Sequence, residues 1–148
     1  MIMNLKRIKD YLLKREEISM AFVFGSEANR SAGLESDLDI AVYFKPARRE
    51  IEWESQTRYP GEDRIWVDLE KLAGREVDLL VLNRAASTIA DTVLRTGRPL
   101  FIRDRGIYLD LLLRVSREAE DFREFIQDFY KMKSTSEKAR GRRTTKSL

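Results

Sequence analysis

Five residues stand at spacings suited to phosphate and cation chemistry. Gly25-Ser26 is followed, after ten residues, by Asp37-Leu38-Asp39, and Asp78 lies farther on inside an apolar run. Alternate side chains of a strand share a face, so Asp37 and Asp39 point the same way and Leu38 points oppositely, toward a core. Their backbone positions are then roughly 6.6 Å apart, at about 3.3 Å per residue. Two carboxylates so placed disfavour each other's ionisation unless a cation screens them. Two divalent ions about 3.5–4 Å apart can share such a pair. Asp78 offers a third carboxylate: an acid within Val77-Asp78-Leu79-Leu80-Val81-Leu82 is costly without a partner. A third strand laid beside the second would bring it to the other two. Gly25 permits close approach of a phosphate to the backbone. Ser26 adds a hydroxyl where a helix opens, and helix-opening N–H groups favour anions.

Each feature has a plainer reading on its own. A lone D-x-D is commonly a solvated strand end, a Gly-Ser pair a helix cap, and a single strand acid an edge or ion-paired residue. What makes the set specific is its joint order, with each part placed after or within its own apolar strand.

The elements that must position these residues are legible as periodic segments. Residues 2–15 carry Ile2, Leu5, Ile8, Leu12 and Leu13 at helical spacing. Met20 to Phe24 is a buried strand stopped at Gly25-Ser26, and residues 27–36 read as a short helix plus loop. Asp37 to Phe44 is a second strand, closed by Lys45-Pro46. Residues 47–61 are charged and end on Pro60-Gly61, a turn. Ile65, Trp66, Leu69 and Leu72 mark a helix stopped near Gly74. Glu76 to Leu82 is a third strand, 85–96 a helix ended by Gly97, and Pro99 to Ile102 a fourth strand.

The last helix is expected over about 107–132. Tyr108, Leu112, Val115, Ala119, Phe122, Ile126 and Phe129 step by four and three along it, a seam of three heptads. Leu111, Leu113, Phe125 and Tyr130 fall off that seam, so more than one side is apolar. The seam is read as packing on its own domain before serving a partner. Trp66 is read as core, while Trp53 is left open. Asp91 and Asp110 are set aside as helix acids without partner spacing.

Composition narrows the chemistry. The 148 residues are 43% hydrophobic and 36% charged, which suits one globular domain. There is no cysteine and no histidine, which excludes disulfides, thiolate zinc sites, cysteine nucleophiles and histidine bases. Any metal must be held by oxygen, which favours a hard cation such as Mg²⁺. Apolar stretches are far short of a membrane span and the start lacks a signal-peptide pattern, so a cytoplasmic location is expected. The net charge of +3 is uneven: residues 133–148 carry six cations against Glu137, leaving 3 − 5 = −2 on the rest. We therefore expect a domain over 1–132, a basic disordered tail over 133–148, and no direct nucleic-acid binding.

The segment Phe22-Val23-Phe24-Gly25-Ser26 with Asp37-Leu38-Asp39 resembles the nucleotidyltransferase signature G-S-x(10)-D-x-D of the polymerase β superfamily. Glu76 to Arg103 is similar to the minimal nucleotidyltransferase (MNT) proteins, which show a V-D-L-[VL]-x-L-N run, a helix and a G-x-x-L-[FY] close. The resemblance covers about residues 15–105. It implies an α/β (α+β) fold, a small mixed sheet flanked by helices, and NMP transfer from an NTP with two Mg²⁺ ions. It also implies that Gly25 and Ser26 cradle phosphates while Asp37, Asp39 and Asp78 bind metal. Many MNT proteins are antitoxins that transfer AMP from ATP to a tyrosine of a HEPN-type ribonuclease toxin, which makes such a toxin the expected partner. Asn29 and Arg30 stand where the family often has Arg and Gly. Two other functions are carried beside this one: a non-catalytic antitoxin acting by occlusion, and transfer to a small molecule. Three convergent acids favour catalysis over the first, and the short chain disfavours the second.

Overall fold

The computed structural model describes residues 5–25, 37–45 and 58–146, with side chains followed as far as residue 133. The element order is α1 (Leu5–Leu13), β1 (Ile18–Phe24), β2 (Leu38–Phe44), α2 (Glu62–Ala73), β3 (Val77–Val81), α3 (Ser87–Thr96), β4 (Arg98–Ile102) and α4 (Arg105–Lys146). All four expected strands form. The helix plus loop expected at 27–36, and most of 47–61 with Trp53, lie outside the described residues.

The four strands make one mixed sheet in the order β3-β2-β1-β4. β1 runs antiparallel to both β2 and β4, whereas β2 and β3 are parallel. Parallel neighbours need a crossover, and α2 lies in that connection. Both faces of the sheet are covered, which is why its strands read as continuous apolar runs rather than alternating ones. On one face Ile18, Val23, Leu38, Ile40 and Val42 pack with Ile8 and Leu12 of α1 and Ile65 and Leu69 of α2. On the other, Met20, Phe22, Ala41 and Tyr43 pack with Ala90, Val93 and Leu94 of α3 and Leu111 and Val115 of α4.

Polar clasps close the ends of these elements. Asn83 accepts from the Phe44 backbone N–H at 2.8 Å and donates to the Phe44 carbonyl at 2.9 Å, so its amide pairs with the end of β2 as another peptide would. Tyr11 donates to Asp68 at 2.6 Å and ties α1 to α2. The Arg103 guanidinium donates to the Ile18 carbonyl at 2.7 Å, joining the end of β4 to the start of β1. Gly74 closes α2 at φ 67°, its N–H donating to the Glu70 carbonyl, a left-handed cap that glycine adopts without strain. Trp66, expected in the core, is 45% exposed. Its indole N–H donates to the Val77 carbonyl at 2.7 Å, so the ring lies along the surface to reach that acceptor.

Asp104 opens α4, its carboxylate accepting from the N–H groups of Gly106 and Ile107. The helix does not stop at 132. It continues to Lys146, so residues 133–146 of the expected disordered tail are helical in backbone. The stretch has no apolar period. Yet Lys, Glu, Ala and Arg all favour helix, the stretch has no proline, and extending a helix already nucleated adds one bond per residue. The seam divides accordingly. Val115 and Ala119 are buried, while Phe122 and Phe129 are exposed.

Asp91, set aside in the sequence reading, is buried at 1% exposure on α3. It accepts from Arg95 one turn on at 2.8 Å and from Arg123 of α4 at 3.0 Å. Burial pushes its carboxyl upward, but the hydrogen bonds from Arg95, Arg123 and Ser116, with the charge of Arg95, hold it below the usual carboxylate range. Stability from a depressed acid is present at neutral pH and is lost as pH falls through the folded-state value. Asp91→Ala is therefore expected to cost about 2 kcal/mol, discounted because both arginines stay half in water. The melting temperature should fall by on the order of 5 °C at pH 7, and by less in strong acid. Thermal melts at the two pH values check this; an equal loss at both would remove the ion pair from the account.

Candidate functional site

The site is built at one end of the sheet, where β1 finishes and β2 and β3 begin. Phe24, the last residue of β1, is in register with Asp39. On the other side of β2, Asp39 is in register with Asp78 of β3. Registered residues of neighbouring parallel strands put their side chains on the same face, with backbones about 4.8 Å apart. That face is the one carrying Ala41, Tyr43 and Leu80, against which α3 and α4 pack. Leu38 points to the opposite core and is fully buried, as the alternation predicts. Asp37 immediately precedes β2 and is exposed, as is Asp78, while Asp39 is half-buried between them.

The neighbouring carboxylates act on Asp39. Burial raises the Asp39 carboxyl above its ordinary value, the charges of Asp78 and then Asp37 raise it further, and Arg75 opposes them. Among the described residues no three acidic side chains are drawn close enough to cage a cation as they stand. The arrangement is an open acidic face. Arg75 is the residue the sequence reading missed. It sits two positions before β3, and no motif or period singles it out.

Gly25 follows β1 directly, in the left-handed region at φ 69°. A Cβ there would overlap the Asp39 Oδ2 oxygen and stand 3.3 Å from its carboxyl carbon. The glycine is thus required twice, by its backbone angle and by the carboxylate lying against it. Of the expected site residues, the structure brings together Gly25, Asp37, Asp39 and Asp78. Ser26 lies outside the described residues.

Residues 6–106 match the family model for polymerase beta nucleotidyltransferases. Comparison with curated proteins gives no match. Solved structures share the fold. A toxin–antitoxin with AMP-PNP aligns at TM-score 0.69 and 18% identity, over 86% of this chain and 96% of that one. A structure of tri-AMPylated HEPN toxin in complex with MNT antitoxin, from Shewanella oneidensis, aligns at 0.61 and 16%, over 86% and 96%. The toxin–antitoxin MntA-HepT aligns at 0.60 and 16%, over 85% and 96%. At such identities the likeness speaks for the fold, while the family match spans most of the chain and includes Gly25, Asp37, Asp39 and Asp78. The chain belongs to the polymerase beta nucleotidyltransferase family.

Proposed function

We propose that this nucleotidyltransferase moves AMP from ATP to a tyrosine hydroxyl of a HEPN-type toxin, binds that toxin as a hetero-oligomer, and serves as its antitoxin in the cytoplasm. The observation that carries the reading is the registered pair Asp39 and Asp78 on adjacent strands, with Asp37 beside them and Gly25 against Asp39. Solved neighbours of the same fold include an AMPylated HEPN toxin with its MNT antitoxin. On this reading residues 1–132 are the catalytic domain and the basic stretch beyond them is accessory.

The donor set fits Mg²⁺: three carboxylates supply hard oxygen ligands, and the mutual repulsion felt by Asp39 is what a cation would relieve. Asp37, Asp39 and Asp78 would hold the metal, which supplies charge neutralisation of the triphosphate and of the acceptor oxygen. Gly25 leaves the backbone bare where a phosphate approaches, and Ser26 offers a hydroxyl to it. The chain has no histidine to act as base. A tyrosine hydroxyl, with a pKa near about 10, gives up its proton more readily than a serine or sugar alcohol.

The test is incubation with labelled ATP, Mg²⁺ and a HEPN protein encoded beside this chain, followed by mass mapping. One or more AMP additions on a tyrosine are expected, abolished by chelator. ATP affinity by calorimetry should fall at least tenfold without a divalent ion. If the neighbour is silenced without modification, and equally by the Asp37→Asn/Asp39→Asn protein, occlusion replaces catalysis.

A further inference from the structure

The outer edge of the sheet and the near flank of α1 leave a cleft between them. β4 is the outermost strand, with β1 as its neighbour in the sheet. α1 is tied to α2 through Tyr11. At 100° per residue Lys6 and Lys9 stand roughly 140–160° around the helix from Tyr11, on the flank toward β4. The cleft measures about 380 Å³, a size that holds small ligands. Lys6, Lys9, Asp10 and Arg98 line it, above Leu5 and Leu100, which are packed against the core. Arg98 is in register with Val23, whose side chain belongs to the core beneath α1. Registered residues of antiparallel neighbours share a face, so the cleft lies on the opposite face of the sheet from Asp39 and Asp78.

The charges of this cleft take no part in holding the fold. Among the described residues no ion pair or side-chain hydrogen bond engages Lys6, Lys9, Asp10 or Arg98. Three cations stand against one acid there, whereas residues 1–132 as a whole carry a net of −2. Like charges gathered around one small volume repel, and an anion between them removes that cost. We propose that the cleft binds a short polyphosphate chain, free or carried on a nucleoside. Lys6 and Lys9 are neighbours at i, i+3 on one helix flank, and Arg98 approaches from the strand, so all three can reach one compact ligand. The Arg98 guanidinium offers a planar fork to two phosphate oxygens, while the lysines act as point charges on the others. A carboxylate brings a single charge into such a volume; a di- or triphosphate brings several. Asp10 on the same rim opposes the ligand and limits its affinity.

Titration calorimetry of the full chain in EDTA at low salt tests this, with inorganic tripolyphosphate, ADP and adenosine as probes. Without a divalent ion the acidic face repels both anions, so the heat reports the cleft. One site is expected, with Kd on the order of 100 µM or tighter for at least one anion, and no binding of adenosine. Whichever anion binds more tightly names the source of the chain. Lys9→Glu/Arg98→Glu should weaken binding by at least about tenfold, and Asp10→Asn should tighten it by about threefold. These positions are exposed, so the melting temperature should not move. The double glutamate should also leave metal-dependent nucleotidyl transfer unchanged, and Asp39→Asn should bind the anion as the wild type does. No binding of either anion up to millimolar concentration overturns the proposal. So does binding that survives the double glutamate, that Asp10→Asn weakens, or that Asp39→Asn abolishes, which would place the anion on the acidic face instead.

Discussion

Asp39→Asn is expected to abolish nucleotidyl transfer, by on the order of 10³-fold or more, while the melting temperature stays constant or rises slightly. Asp39 is the carboxylate that both neighbours address. It lies in register with Phe24 on one side and Asp78 on the other, and it is the most covered of the three acids. Burial first, then the charges of Asp78 and Asp37, raise its carboxyl above the ordinary value. A carboxyl raised in the folded state makes folding take up protons, so its contribution to stability falls as pH rises past the unfolded value. At neutral pH the ionised group is therefore a net cost to the fold, and the isosteric amide removes it. Asp78→Asn should match the loss of activity with less gain in stability, because Asp78 is exposed. Turnover and thermal melts on the same preparations decide the matter. A folded Asp39→Asn protein that still transfers AMP would sink the site, and a drop of several degrees would sink the electrostatic argument.

This site was legible because its parts obey local rules. Asp37 and Asp39 are two apart, and a strand's alternation alone puts Leu38 in the core and the acids on one face. Asp78 needed one further assumption, that β3 lies beside β2, which the apolar run around it made reasonable and the parallel register bears out. Other features depend on tertiary geometry that no period encodes. Asp91 had Arg95 at i+4 in plain view, yet its burial and its link to Arg123, 32 residues on, come only from α3 docking on α4. Trp66 looked like core by its spacing, and lies at the surface because its N–H reaches the Val77 carbonyl. No apolar period marks the end of α4, which runs on to Lys146. A helix already started needs only residues that do not break it, as the stretch beyond 132 provides.

Gly25→Ala is expected to lower transfer by at least about 100-fold, through displacement of Asp39 rather than loss of a functional group of its own. Two costs arise at this position. The first is conformational: an L-residue at φ 69° is strained by about 1–2 kcal/mol. The second is steric, since the added methyl would occupy the place of the Asp39 Oδ2 oxygen. The carboxylate is the end of a side chain and can rotate, so the fold survives, but Asp39 is turned away from its place between Asp78 and Asp37. Gly74 provides the control. Its φ of 67° imposes the same conformational strain, but nothing lies within 4 Å of an added Cβ there. Gly74→Ala should therefore lose about as much stability as Gly25→Ala and keep its activity. Paired melts and turnover separate the two costs. Equal losses of activity in both variants would assign the effect to backbone strain, and an active Gly25→Ala protein would show that the position of Asp39 does not limit the reaction.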